Sequence, residues 1–310
     1  LVDVEGPPLD KVTAVAAAYD SSCALREGKV LCWGNQQDGA LGNGVATAGA
    51  FPTPRAVEPE GPGELPVFSM ISGGGRRYCA ASAQAVYCWG REAETVYKPR
   101  PIGLANLQGH DIKQLVVAED HACVVANSAP YCWGQNEVGQ ALPKPSPNVI
   151  ELPTLVPGKL ANEMGVAYQR TCATKTDGYV DCWGSDTRAP VVQVNEPEPF
   201  NEMRGPVGGA FQFCALDVQT SAWCWGGNPL RWRGTTEERA ARITLLGGKA
   251  LTGLEQIDGG SHQVCATRGR EVYCWGAVEF DAPNSSCDPD SGDPPETCGF
   301  ATRRHELPAP

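Results

Sequence analysis

The tripeptide Cys-Trp-Gly recurs six times, at Cys32-Trp33-Gly34, Cys88-Trp89-Gly90, Cys132-Trp133-Gly134, Cys182-Trp183-Gly184, Cys224-Trp225-Gly226 and Cys274-Trp275-Gly276. The steps between copies are 56, 44, 50, 42 and 50 residues. A repeat of this length points to an array of small units that bury their faces on one another. Each copy has a second cysteine upstream: Cys23, Cys79, Cys123, Cys172, Cys214 and Cys265. Before that cysteine lies a short apolar segment (12–18, 67–74, 112–118, 160–167, 205–210, 254–260). After the tripeptide lies a stretch rich in proline and β-branched residues (51–54, 99–104, 152–156, 190–194, 243–246, 305–310). One unit therefore reads as four short strands, the pattern of a propeller blade. The expected fold is all-β, a single β-propeller domain over 1–310 of six four-stranded blades, with seven blades as the alternative.

The cysteine spacing fits antiparallel hairpins. Four pairs are nine residues apart, and Cys172/Cys182 and Cys214/Cys224 are ten apart. In a hairpin with a two-residue loop, residues nine apart lie opposite one another, and a three-residue loop gives ten. The first loop would be Glu27-Gly28 and the fourth Thr176-Asp177-Gly178, where glycine supplies the positive φ such turns need. Ala83-Gln84 has no glycine and leaves its turn type open. Opposed cysteines at a non-hydrogen-bonded site come within disulfide reach. Each bridge should contribute about 2–3 kcal/mol. Zinc sites use close pairs such as Cys-x-x-Cys, and none occurs here.

Fourteen cysteines, even in number and regularly placed, favour pairing and an oxidising compartment: extracellular, periplasmic or cell-surface. The last two, Cys287 and Cys298, fall outside the repeat. They are expected to staple an acidic insertion, 284–302, within the last blade. Its three prolines and its mismatch to the twelve-residue calcium loop favour a solvated insertion over a calcium site. The net charge of −11 disfavours nucleic acid and anionic membrane surfaces. No apolar run is long enough to insert in a membrane. The chain starts at Leu1 without a signal peptide, so a removed leader or a trimmed start is expected.

The segment Cys-Ala-Leu-Arg-Glu-Gly-Lys-Val-Leu-Cys-Trp-Gly-Asn at 23–35, followed by Gly39-Ala40-Leu41-Gly42, resembles the repeat of the regulator of chromosome condensation family. Trp133-Gly134-Gln135-Asn136 with Gly139-Gln140 is a second good copy, and the tail is degraded in the other four units. The resemblance implies a propeller, here of a secreted, disulfide-rich, bacterial type. The family's nucleotide exchange on a small GTPase and its chromatin binding do not carry over, given the acidic charge and the cysteines. The resemblance extends to a secreted bacterial propeller that inhibits β-lactamase through aromatic loops on one face, which implies docking to, or inhibition of, a secreted or surface protein.

The residues just before the first cysteine of each unit occupy equivalent positions yet differ chemically: Tyr19 and Asp20; Arg76, Arg77 and Tyr78; Glu119, Asp120 and His121; Tyr168, Gln169 and Arg170; Phe211 and Gln212; His262 and Gln263. On a propeller they would form one ring of turns on one face. Aromatic and arginine side chains dominate binding hot spots, so this ring is the candidate partner site. The competing reading is that each aromatic plugs its own blade. Trp232, between Arg231 and Arg233, is a further candidate, either as an exposed contact or as a local cation–π lock.

No catalytic residues, metal or cofactor are expected. Four histidines and the absence of Gly-x-Ser-x-Gly or His-Glu-x-x-His give no catalytic constellation. The leading expectation is a scaffold that binds a protein partner. A lectin is the alternative, with a glycan as ligand, but six equivalent sugar sites would call for like residues, and these turns are unlike. An enzyme with an unrecognised site is the third.

Overall fold

The computed structural model describes residues 9–45, 47, 49–91, 95–144, 146–175, 180–185, 203–208, 213–225, 241–245, 251–259, 263–276 and 300–306. They fall in two compact units, Leu1–Lys159 and Leu160–Pro310.

The first unit holds three four-stranded antiparallel sheets, each meandering in chain order. The first is β1 (Val12–Ala17), β2 (Ser21–Arg26), β3 (Lys29–Asn35) and β4 (Ala50–Ala56). The second is β5 (Met70–Gly74), β6 (Arg77–Ala81), β7 (Val86–Arg91) and β8 (Thr95–Ile102). A short helix, α1 (Leu104–Leu107), leads to the third: β9 (Ile112–Val117), β10 (His121–Ala126), β11 (Ala129–Gln135) and β12 (Val149–Leu155).

Among the described residues the sheets of the second unit have three, four and five strands. Its first sheet has three: β13 (Glu163–Ala167), β14 (Arg170–Thr174) and β15 (Val180–Gly184). The strand expected at 190–194 lies outside the described residues. Next come β16 (Arg204–Gly208), β17 (Phe213–Leu216), β18 (Ala222–Trp225) and β19 (Ala241–Arg242). Where the sequence predicts a strand at 243–246, two short strands stand at 241–242 and 244–245. β19 closes its own sheet, while β20 (Thr244–Leu245) crosses to the last sheet and pairs in parallel with β24 (Phe300–Glu306). That last sheet is completed by β21 (Gln256–Gly259), β22 (Gln263–Arg268) and β23 (Glu271–Gly276), giving five strands. The last described strand overlaps the expected 305–310 only at 305–306, and 307–310 lie outside the described residues.

Cysteines pair as the spacing predicts. Cys23–Cys32, Cys79–Cys88, Cys123–Cys132, Cys172–Cys182, Cys214–Cys224 and Cys265–Cys274 are bridged, with Cα atoms 4.0–4.1 Å apart. Each bridge joins directly opposed residues of the second and third strands of a sheet. Cys287 and Cys298, with most of the 284–302 insertion, lie outside the described residues, as does the turn 176–178. The Glu27-Gly28 turn has φ of 49° and 78°, the mirror-image geometry that suits the strand twist. Ala83-Gln84 manages without positive φ: the Ser82 hydroxyl accepts from the amides of Gln84 and Ala85 at 3.3 and 3.1 Å.

Within each unit the first strands of successive sheets pack side by side, β1 on β5 and β5 on β9, then β13 on β16 and β16 on β21. Backbone there comes too close for side chains. A Cβ on Gly74 would lie 2.5 Å from the Val117 carbonyl oxygen, and one on Gly208 would lie 2.1 Å from that of Val166. The repeated tryptophans fill the space between sheets. Trp89 is fully buried with Tyr78, Leu25, Val30, Leu41 and Phe68, which joins the first two sheets of unit one. In unit two, Trp275 sits against the preceding sheet, its indole nitrogen 3.2 Å from the Cys224 sulfur.

Candidate functional site

The turn before each second strand and the loop after each Cys-Trp-Gly leave the sheet at the same edge. Pairing enforces this: Ser21 lies opposite Gly34, Arg77 opposite Gly90, and His121 opposite Gly134. The glycine of the tripeptide is fixed by that crossing. Gly34, Gly90 and Gly134 have φ of 107°, 100° and 110°, and a Cβ on any of them would lie within 2.6 Å of the carbonyl oxygen of Asp20, Arg76 or Asp120 respectively.

In unit one the three turns meet. The amide of Tyr19 donates to the Gly75 carbonyl at 2.8 Å, and its hydroxyl donates to a Glu119 carboxylate oxygen at 2.5 Å. Tyr19, Gly75 and Glu119 all stand four residues before the first cysteine of their sheets. Gly75 adds no side chain between the other two. A Cβ there would lie 2.8 Å from the Glu119 Cγ. The Glu119 hydrogen bond, partial burial and the Glu119 charge push the Tyr19 hydroxyl up to about 12, against the opposing pull of Arg76 and Arg91. The residue nonetheless stays 54 % exposed. Beside it, Arg76 lies between Asp20 (3.9 Å) and Asp38 (3.4 Å). Pairs at this exposure add little stability, and they hold the guanidinium in place.

Four of the residues expected on this face are interior. Arg77, Tyr78, Asp120 and His121 are buried; the first two lie in β6 and His121 opens β10, strands buried along their whole length, and Asp120 directly precedes β10. Tyr78 stacks on Trp89 of its own sheet (5.9 Å between centroids, 22° between planes) and shares a 3.0 Å hydrogen bond with the Ser21 hydroxyl of the first sheet. Burial pushes its hydroxyl up to about 12. For Tyr78 the plug reading holds. Asp120 lies 2.8 Å from the His121 Nδ1 and accepts from the Gln140 amide at 2.9 Å. Burial raises this carboxyl, but the bonds from His121 and Gln140 and the His121 charge outweigh it, so the group sits below the usual carboxylate range.

In unit two, Tyr168 is exposed, and Gln169 and Arg170 are half-buried. Phe211, Gln212, His262, Arg231, Trp232 and Arg233 lie outside the described residues; Gln263 opens β22 opposite Gly276. Sequence reasoning missed Phe213, which is buried and stacks on Trp225 (6.2 Å, 17°) as Tyr78 does on Trp89. Its signal was available: both stand immediately before the first cysteine. It also missed Asp38, in the loop after β3, and Arg91, at the end of β7, as partners of these turns, and the Gln140 of the repeat tail as a partner of Asp120. The Asn136 of the tail motif proves structural. Its side-chain oxygen accepts from the amides of Ala141 and Leu142 at 2.9 and 2.8 Å, pinning that loop.

Among the described residues no group of three or more His, Cys, Asp or Glu is placed to hold a metal, and no helix is long and apolar enough to cross a membrane.

No protein-family model matches the chain. It is 23 % identical over 267 residues to the human E3 ubiquitin-protein ligase HERC2, covering 81 % of this chain and 4 % of that protein. It is 27 % identical over 202 residues to the ultraviolet-B receptor UVR8 of Arabidopsis thaliana, covering 59 % of this chain and 43 % of that one. The chain thus spans less than half the length of these relatives. Among solved structures, human WBSCR16 matches 96 % of this chain and 82 % of its own, with a TM-score of 0.71 and 18 % identity. Yeast RCC1 (Prp20), solved bound to Kap60 and in other work described by its binding to Gsp1p and histones, matches 94 % and 74 %, with a TM-score of 0.69 and 17 % identity. The ectodomain of the Physcomitrella patens receptor kinase CR4 matches 89 % and 66 %, with a TM-score of 0.56 and 18 % identity. With its six Cys-Trp-Gly hairpins and its successive antiparallel sheets, the chain has a β-propeller fold and is similar to the propellers built from regulator of chromosome condensation repeats.

Proposed function

We propose that this propeller is a scaffold that docks a protein partner in an oxidising compartment, outside the cell or in its envelope, and that it is not an enzyme. The observation that carries the reading is Tyr19. A large aromatic ring stands in solvent although its backbone and hydroxyl are both hydrogen-bonded across sheets. A ring fixed in this way loses little conformational freedom when a partner covers it, and tyrosine and arginine are the common anchors of interfaces. Arg76 beside it extends the docking surface of unit one, and Tyr168 offers an exposed ring at the equivalent position of the second unit. Fold neighbours described with protein partners support a binding role. The six disulfides and the likeness to a receptor ectodomain support the location. Docking to, or inhibition of, a secreted or surface protein is the form this role takes.

The test is affinity capture from the native secretome or envelope fraction, with wild type set against Tyr19→Ala/Tyr168→Ala. A protein retained by wild type and lost with the folded variant is the expected result. Equal capture by both moves the docking surface elsewhere. Capture of glycan alone would favour the lectin reading.

A further inference from the structure

We propose that Tyr19 is the seat for a cationic side chain of the partner, an arginine or lysine, and that the turn surface of unit one recognises a basic protein segment. The inference rests on the docking reading above and names what docks. With its hydroxyl already donating to Glu119, Tyr19 has no proton left to offer a partner. What it presents is the ring face, which carries the negative side of the aromatic quadrupole and attracts cations. A carboxylate bound at the ring's oxygen raises its electron density further.

The surrounding charge acts in the same direction. Among the described residues, Glu119 holds the hydroxyl, Arg76 and Arg91 act on it from nearby, and Asp20 and Asp38 flank Arg76. Arg76 is occupied by Asp20 and Asp38, so its charge is largely offset where a ligand would approach. Asp20 keeps about half of its side chain in solvent and can accept hydrogen bonds from a guanidinium resting on the ring. At longer range the net charge of −11 steers basic partners toward the protein and acidic ones away.

The experiment titrates N-acetyl-argininamide into the full disulfide-bonded chain and follows the tyrosine ring resonances by NMR, with Tyr19 assigned from Tyr19→Phe. N-acetyl-glutaminamide is the neutral control. Saturable movement of the Tyr19 signals by the arginine probe alone, weakened by added salt, is expected. Glu119→Gln keeps an acceptor for the hydroxyl but removes the charge, and should weaken the arginine response several-fold. Equal shifts with the neutral probe, an unmoved Tyr19, or an unaltered response in Glu119→Gln would each overturn the proposal. If a captured protein depends on Tyr19 while the arginine probe leaves the ring unmoved, the cation seat falls and the docking reading stands. If the probe binds as expected but no protein is captured, the docking reading fails and the cation seat survives.

Discussion

The indole N–H of Trp89 donates to the carbonyl of Ala40 at 3.0 Å, so a tryptophan of the second sheet is held by the loop that leaves the first. The Gly-Ala-Leu-Gly tail of the repeat is shaped for this contact. A Cβ on Gly42 would lie 3.0 Å from the Trp89 ring, and Ala40 and Leu41 are buried against it. Trp89→Phe keeps much of the apolar volume and leaves the buried Ala40 carbonyl unpaired, which should cost about 1–3 kcal/mol. Trp89→Ala adds a cavity between the sheets and should cost about 3–5 kcal/mol. Urea unfolding of the two variants checks the order, and a Trp89→Phe protein as stable as wild type would mean that the hydrogen bond contributes nothing.

The tripeptide's glycine makes a sharper claim. At Gly90 the positive φ and a carbonyl oxygen 2.3 Å from the would-be Cβ coincide. At Gly109 φ is also positive, 78°, but the would-be Cβ meets open space. Gly109→Ala should therefore cost about 1 kcal/mol from backbone conformation alone. Gly90→Ala must also push β7 away from the β5–β6 turn, and should lower the melting temperature several times as far. Similar melting temperatures for the two would remove steric crossing as the reason for the glycine.

Disulfide access differs along the chain. Both sulfur-bearing residues are buried in Cys23–Cys32, Cys79–Cys88, Cys123–Cys132 and Cys214–Cys224, whereas Cys182 and Cys265 are half-buried. Exchange needs direct approach of a thiolate to sulfur. Under limiting reductant, alkylation and peptide mapping should find Cys172–Cys182 and Cys265–Cys274 opened first. Simultaneous labelling of all six pairs would mean that reduction follows global unfolding instead.

The disulfide pairing was legible because a hairpin is a local object: nine- and ten-residue spacings and a turn such as Glu27-Gly28 fix which cysteines face each other. The repeat told of the fold for the same reason. Burial of the turn residues was not legible. Tyr19 and Tyr78 belong to one variable group in sequence, yet one is exposed and the other is packed on Trp89. An alternating strand would have separated them, but β6 is buried at every position, which erases the period-two signal. The partners of Tyr19 and Arg76 were likewise hidden. Glu119 is 100 residues from Tyr19 and Asp38 is 38 residues from Arg76, and no local pattern records such contacts.

Asp120 links the variable turns to acid stability. Its carboxyl lies below its ordinary value in the folded protein because the bonds from His121 and Gln140 outweigh burial. A group depressed on folding contributes stability that is fully present above its unfolded pKa, about 3.9, and that is lost as pH falls through the lower folded value. Asp120→Asn keeps the shape and removes the titration. At neutral pH the variant should be less stable than wild type, since Gln140 and His121 lose a charged acceptor. As pH falls below about 4, the wild-type advantage should shrink toward zero. Melting temperatures of both proteins between neutral and strongly acidic pH test this. A constant gap across the range would show that Asp120 acts through packing and not through its charge.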